Sequence, residues 1–208
     1  MIKKRLPNKF ILIEGIDGGG KTTFTEYLEK EIKRKYRLSK NKSLSIFGQP
    51  SYRLEKNNRL FNMIEYGNLH GNIKKDIGVF KRNRIRNERD IEKNFNGVKV
   101  CVRGVLTELG TIYAKYGILT NSSIGQKIKI DLLIIIDTPI MSALDRIKER
   151  EFIQWRERYV HLSKFKKLYS NTKYINRVLK PKKIITIKNN RDINNLKNQV
   201  QKIVRSNI

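Results

Sequence analysis

Five short apolar runs set the pattern of the chain, and the segments between them carry apolar residues every three or four positions. The runs lie at 10–14, 43–47, 98–102, 132–136 and 184–187. Runs of this length that are rich in Ile and Val predict buried β-strands. The run at 132–136 is apolar at every position, as a sheet covered on both faces requires.

Helical spacing appears in the segments between these runs. Phe24, Leu28 and Ile32 mark one face of a helix predicted over 22–34. Further helices are predicted over 76–95 and 106–116, after Pro139, and in the C-terminal segment. For the helix after Pro139, either residue 137 or residue 138 is expected to cap the N-terminus. Strands that alternate with helices predict a parallel sheet with helices on both faces, which binds ligands at the carboxyl ends of its strands.

Composition narrows the class of protein. The 208 residues carry 46 Lys plus Arg against 19 Asp plus Glu, a formal net charge of +27. The longest apolar run has five residues, too short for a membrane span, and the single Cys101 favours a reducing compartment, so we expect a cytoplasmic protein. His70 and His161 lack the spacing of a metal-binding pair. The positive charge is compatible with a nucleic-acid partner, but Lys is enriched together with Ile and Asn, so such a partner is not favoured.

A phosphate-binding motif lies between the first predicted strand and the first predicted helix. The segment 15–22 reads GIDGGGKT and fits G-x-x-x-x-G-K-[ST] in the structural context that the motif requires. Glycines let backbone N–H groups turn towards a phosphate, Lys21 reaches the β and γ oxygens of a nucleotide, and the Thr22 hydroxyl binds Mg²⁺. The residues expected to bind ATP here are Gly15, Gly18, Gly19, Gly20, Lys21, Thr22 and Thr23.

Asp17 is an unusual residue inside an anion-binding loop. A carboxylate at this place repels a phosphate unless it faces a hydroxyl group or a cation. An acidic residue here, within FILIEGIDGGGKTT, resembles the thymidylate kinase family, and this resemblance implies that Asp17 contacts the 3′-hydroxyl of the acceptor sugar.

Later segments extend the resemblance over nearly the whole chain. FKRNR at 80–84 is similar to the family's F-x-x-[DN]-R, which implies that Phe80 stacks on the thymine and Arg84 contacts the base. By the same resemblance Arg103 binds the acceptor phosphate and Arg146 lies against the adenine. Arginines of a short lid at about 150–158 are expected to stabilise the transferring phosphoryl group. The lid residues assigned to catalysis are Arg150 and Arg156.

Several positions depart from the family pattern. Gln49, expected to contact the substrate, stands where the family has a glutamate before proline, and Val102 replaces an aspartate that organises the magnesium shell. The A-Y-Q segment that helps select a deoxy sugar reads GTI at 110–112. Gly18 stands where one subgroup carries an arginine, so the transition-state cation is expected from the lid.

The resemblance implies an α/β fold: a single P-loop kinase domain over 1–208, built as a three-layer α/β/α sandwich around a five-stranded parallel sheet with a short lid. The implied activity is transfer of the ATP γ-phosphoryl group to dTMP, giving dTDP, with Mg²⁺ as cofactor. Lys21 and Arg103 are expected to act in catalysis beside the lid. The alternatives are a deoxynucleoside kinase, or a catalytically impaired kinase-fold protein that binds nucleotide or nucleic acid. A homodimer is implied by analogy only.

Overall fold

A computed structural model describes residues 6–38, 44–48, 72–93, 96–120, 128–149, 159–190 and 192–208. Within these residues a parallel five-stranded sheet has the strand order β2-β3-β1-β4-β5. The strands are β1 (Lys9–Gly15), β2 (Leu44–Gly48), β3 (Val98–Val102), β4 (Leu132–Asp137) and β5 (Ile184–Lys188). Each strand lies at a predicted apolar run, so the predicted parallel sheet is confirmed.

Seven helices occur in the described part of the chain. They are α1 (Lys21–Tyr36), α2 (Ile73–Lys93), α3 (Val105–Tyr116), α4 (Ile140–Lys148), α5 (Tyr159–Ser170), α6 (Thr172–Leu179) and α7 (Ile193–Asn207). Five of them correspond to the predicted helices. The other two, α5 and α6, follow the predicted lid segment and were not expected from the sequence.

The sheet separates two apolar cores, as a three-layer α/β/α sandwich requires. On one face α1 and α7 pack against each other and cover alternate residues of the strands. On the opposite face α3 packs against both α2 and α5. The first core includes Ile11, Ile13, Phe24, Leu28, Ile134 and Val200, and the second includes Phe10, Leu12, Phe80, Leu109, Leu133 and Phe165. The predicted fold class is therefore confirmed.

The sheet order places β1 between β3 and β4 at the topological switch point. Registers pair Ile13 with Val102 and Gly15 with Ile136, so the carboxyl ends of the three strands lie side by side. The turn from β1 into α1 therefore lies over the edge where this fold binds ligands. No helix in the described segments is long and apolar enough to cross a membrane.

One local prediction is wrong. The N-cap of α4 is Pro139, with no side-chain cap bond, so neither Asp137 nor Thr138 caps this helix. The hydroxyl of Thr138 instead donates a hydrogen bond to Gly19 of the loop that follows β1.

Candidate active site

The loop over residues 16–20 joins β1 to α1 and depends on glycine backbone conformations. Gly18 and Gly20 have φ angles of +72° and +87°, in the left-handed region that favours glycine. A Cβ at Gly18 would lie 2.4 Å from the backbone oxygen of Ala143 in α4. The loop thus passes too close to α4 for a side chain at position 18, and the arginine that some thymidylate kinases carry there would not fit.

Lys21 folds back beneath the loop. Its Nζ donates hydrogen bonds to the backbone oxygens of Gly15, at 2.8 Å, and Ile16, at 2.7 Å. The side chain is 6% exposed. Because an ammonium group has three donor hydrogens, it can hold two carbonyls of the loop and still direct charge at a ligand.

Side chains that directly follow β4 and β5, together with one from α4, hold the next loop carbonyls. Arg146 Nη1 donates to the Gly18 oxygen at 2.8 Å. Asn189 Nδ2 and Thr138 Oγ1 both donate to the Gly19 oxygen, at 2.8 and 2.9 Å. We call Thr138, Ala143, Arg146 and Asn189 the β4–β5 flank. The three hydrogen bonds hold the Gly18 and Gly19 carbonyls and so restrain the loop backbone.

The first turn of α1 completes the cradle. Thr22 and Thr23 are exposed there, and the first N–H groups of a helix have no intrahelical acceptor. Together with the positive end of the helix dipole, these groups form a site suited to an anion. The Thr22 hydroxyl is accessible to a metal ion or a phosphate.

Asp17 lies between two cations on the other side of the loop. Its Oδ1 is 2.5 Å from Arg103 Nη2 and 3.6 Å from Lys21 Nζ. The Asp17 side chain is 11% exposed and that of Arg103 is 19% exposed, so solvent screens the pair only weakly. The acidic residue of the loop therefore faces cations.

Arg103 occupies a strained backbone position directly after β3. Its φ of +64° is left-handed although it has a side chain, and its N–H donates to the Ile13 oxygen at 2.9 Å. Such strain persists where the surrounding structure fixes it, and it is common at functional sites. The turn directs the guanidinium at the loop.

Glu14, at the end of β1, is fully buried and binds the start of α3. Its Oε1 accepts hydrogen bonds from the backbone N–H groups of Gly104, Leu106 and Thr107, and its Oε2 accepts one from the Thr107 hydroxyl at 2.7 Å. This carboxylate thus replaces the N-cap side chain that α3 lacks. We call Arg103, Gly104, Leu106 and Thr107 the β3–α3 flank.

Tyr169 of α5 brings a buried phenol to this flank. Burial raises its pKa well above the ordinary 10.0, and the carboxylates of Glu14 and Asp17 raise it further. A hydrogen bond with Thr107 and the charge of Arg103 lower the pKa by less. The phenol is therefore protonated at neutral pH and can serve as a hydrogen-bond donor.

Phe80 of α2 is fully buried in the apolar core beside α3. A base can stack on its ring only if neighbouring side chains move, so the stacking role stays a prediction. Nearby, a Cβ on Gly110 would lie 2.3 Å from the ring of Phe165. Gly110 is the first of the three positions 110–112 at which the sequence departs from the family. Because it has no side chain, the ring of Phe165 from α5 can pack against its backbone.

Other predicted site residues lie outside the described residues. These are Gln49 and the lid arginines Arg150 and Arg156. Arg84 falls within α2, but its side chain is likewise not described.

The metal ligands that the described residues offer are few. The described residues contain no group of three His, Cys, Asp or Glu side chains that could hold an ion. Asp137, at the end of β4, is engaged with Lys166 of α5 at 2.9 Å. Mg²⁺ commonly binds through one or two protein ligands plus nucleotide phosphates and water, and the exposed Thr22 hydroxyl fits that mode.

The motif, its position after the first strand and the parallel sheet define a P-loop fold. No protein-family model and no curated protein sequence matches the chain. Solved structures do match it, and they include nucleoside and nucleotide kinases.

Thymidylate kinase from Candida albicans is 17% identical to this chain, with a TM-score of 0.68, and the match covers 98% of this chain and 94% of that one. Deoxyadenosine kinase from M. mycoides is 17% identical, with a TM-score of 0.64 and coverage of 94% and 99%. Thymidylate kinase from Ehrlichia chaffeensis is 18% identical, with a TM-score of 0.57 and coverage of 95% and 98%. The expected likeness to thymidylate kinases is confirmed for the fold.

Several contacts of the site were not predicted from the sequence, including those of Glu14 with the start of α3. Thr138 and Asn189 hold the Gly19 carbonyl, and the phenol of Tyr169 lies close to Glu14 and Thr107. Their positions directly after β4 and β5 were a usable signal for the first two, because the carboxyl ends of parallel strands meet at one edge. Tyr169 lies on α5, which was not predicted.

Proposed function

We propose that the protein is a P-loop kinase that transfers the γ-phosphoryl group of ATP to dTMP, giving dTDP. One observation carries the proposal: the Lys21 ammonium and the Arg103 guanidinium converge on Asp17 at the edge of the sheet. Phosphoryl transfer needs positioned positive charge more than covalent chemistry, because the charge of the moving group spreads over its oxygens. A loop cation beside a second cation on the neighbouring strand supplies that charge.

The predicted site residues have defined roles in this proposal. The loop N–H groups and Lys21 bind the β and γ phosphates of ATP, and Arg146, which lies against the loop, faces the adenine. Arg103 binds the acceptor phosphate, while Asp17 accepts a hydrogen bond from the acceptor sugar. Phe80, Arg84 and Gln49 belong to the base pocket, and Arg150 and Arg156 to the lid.

Magnesium is part of the proposal. Bound Mg²⁺ supplies positive charge that neutralises the phosphate oxygens. The Thr22 hydroxyl would be the protein ligand, beside oxygens of the nucleotide and water. Val102 leaves the end of β3 without the carboxylate that the family pattern supplies, so the chain relies more on the nucleotide for metal binding.

A deoxynucleoside kinase is the second candidate. The structural likeness to deoxyadenosine kinase is comparable to that with the two thymidylate kinases. Asp17 favours the monophosphate kinase. Its partner Arg103 is the residue proposed to bind an acceptor phosphate, and a nucleoside has no such phosphate.

A substrate panel tests the proposal. The purified protein is incubated with ATP, Mg²⁺ and each of dTMP, dUMP, dAMP, thymidine and deoxyadenosine, and products are separated by ion-exchange chromatography. With dTMP, we expect ADP and dTDP to accumulate together. With dUMP, we expect a smaller amount of dUDP, and with the other acceptors no phosphorylated product. A preference for a nucleoside would establish the deoxynucleoside kinase, and ATP binding without any phosphorylated product would establish the non-catalytic alternative.

A further inference from the structure

The contact of Asp17 with Arg103 occupies the cation that the proposed reaction needs for the acceptor phosphate. The same Asp17 oxygen contacts Arg103 Nη2 at 2.5 Å and approaches Lys21 Nζ at 3.6 Å. A phosphate that binds to either cation must therefore share it with a carboxylate that is already in place, or displace that carboxylate.

This pair differs from an ordinary surface ion pair. The three side chains are between 6% and 19% exposed, whereas the Arg34–Glu31 pair on α1 has an arginine that is 64% exposed. Exposed pairs contribute little because water and salt screen them. In the loop, the charges interact through poorly hydrated surroundings and so affect one another strongly.

Both partners are also held by the backbone. Arg103 follows β3 in a left-handed conformation that is fixed by its N–H bond to Ile13. Asp17 lies in a turn closed by a hydrogen bond from the Gly19 N–H to the Ile16 oxygen at 3.1 Å. The carboxylate therefore meets the guanidinium as part of the loop geometry.

The net charge of the chain makes selectivity a problem for such a site. A protein of net charge +27 attracts every polyanion, including inorganic polyphosphates, which resemble the phosphate chain of a nucleotide. Attraction of this kind does not distinguish ATP from tripolyphosphate. Discrimination has to come from groups inside the site.

We infer that Asp17 is a built-in counter-ion that makes the site reject free inorganic phosphates and accept nucleotides. A free phosphate gains only the attraction of Arg103 and Lys21, and it is opposed by the Asp17 charge. A nucleotide offsets this cost with contacts to its base, sugar and metal. Resting on the proposed function, this inference adds a specificity role for Asp17 as a positioning residue that acts through Arg103 and Lys21.

Binding of inorganic tripolyphosphate, measured by titration calorimetry at fixed ionic strength, tests the inference. Asp17→Asn keeps the size of the side chain and removes its charge, and we expect it to bind tripolyphosphate at least roughly tenfold more tightly than the wild type. Asp17→Glu retains a carboxylate, and its affinity for tripolyphosphate should lie within about threefold of that of the wild type. High salt should reduce the gain of the Asn variant.

Two controls separate a local effect from a general one. Glu29→Gln changes the net charge by the same amount on α1, where Glu29 pairs with Lys33, and should leave tripolyphosphate affinity unchanged. In an Arg103→Ala background, the gain from Asp17→Asn should fall to about threefold or less, since the cation that is released is absent. Should Asp17→Asn not fold, Asp17→Ser removes the same charge.

The outcomes distinguish this inference from the proposed function. If wild type and Asp17→Asn both bind ATP but bind tripolyphosphate equally, the inference is overturned and the kinase proposal stands. An equal gain from Glu29→Gln also overturns it, because the effect would then come from net charge. A wild-type protein that binds neither ATP nor tripolyphosphate contradicts the proposed function itself.

Discussion

The two flanks of the phosphate loop are built in different ways. On the β4–β5 flank, neutral and cationic side chains donate to loop carbonyls, and α4 lies so close that position 18 must be glycine. On the β3–α3 flank, charges dominate: Glu14 binds the start of α3, and Asp17 binds Arg103. One flank shapes the loop, and the other sets its charge.

This difference matches the distribution of family features in the sequence. The loop motif is complete, whereas the departures at Val102 and at 110–112 fall on or near the β3–α3 side. The motif fixes locally the backbone geometry that we expect to bind a triphosphate. The residues expected to select the acceptor come from distant segments, and sequence change there can alter them without disturbing the loop.

Lys21→Ala removes the cation that the loop between the two flanks itself supplies, and it should have the largest effect. It removes the ammonium beside Asp17 and the two bonds to loop carbonyls. We expect phosphoryl transfer to fall by at least about a hundredfold, because removing a single positioned donor costs that much. Steady-state kinetics measure the loss, and Lys202→Ala, on an exposed position of α7, is the matched control. Normal turnover in Lys21→Ala would refute the kinase proposal.

Gly18→Ala tests the β4–β5 flank. The added methyl meets the Ala143 backbone oxygen, which cannot rotate away, and φ at this position is left-handed. We expect a loss of about 2 kcal/mol in the free energy of unfolding, together with weaker ATP binding. Urea denaturation and calorimetry measure the two effects. Gly117→Ala is the control, because its φ is also +72° but nothing lies near its added methyl. Equal losses in both variants would mean that the close approach of α4 is unimportant.

Two substitutions of Arg103 test whether the backbone on the β3–α3 flank is strained. Arg103→Ala and Arg103→Gly both remove the guanidinium, but only glycine relieves the left-handed backbone. The glycine variant should therefore be more stable than the alanine variant by about 1 kcal/mol in urea denaturation, while both lose affinity for the monophosphate. A less stable glycine variant would show that the backbone at this position is not strained.

Tyr169→Phe should have the smallest effect, a change in how the free energy of unfolding depends on pH. Because the pKa of the phenol is raised in the folded protein, its contribution to stability is complete below the unfolded pKa of about 10 and is lost as pH rises through the higher folded pKa. The wild type should lose stability more steeply than Tyr169→Phe between about pH 9.5 and pH 11. The pKa values of Tyr36 and Tyr174 are also raised, so both proteins share that background. Parallel curves would contradict burial of the Tyr169 hydroxyl among these charges.

The elements that can be predicted from the sequence are those whose signal is local. The five strands were found because each is a short apolar run, and the loop because its residues are contiguous. Helix α5 was missed although Leu162, Phe165 and Tyr169 have helical spacing, since lysines interrupt the pattern. The ion pair of Asp17 with Arg103 joins residues 86 positions apart, and its geometry depends on the pairing of β1 with β3. Thr138 and Asn189 can be placed at the edge of the sheet beside the loop from the sequence, because each follows a strand, but their shared contact with the Gly19 carbonyl cannot.

Affinity for ATP in the presence of Mg²⁺ tests the central claim most directly. We predict that titration calorimetry of the wild-type protein gives a Kd below about 1 mM, within the usual range for enzyme substrates, and that Lys21→Ala abolishes the signal while Lys202→Ala retains it. A folded wild-type protein that binds no ATP, or a Lys21→Ala variant that binds it equally well, would contradict the account.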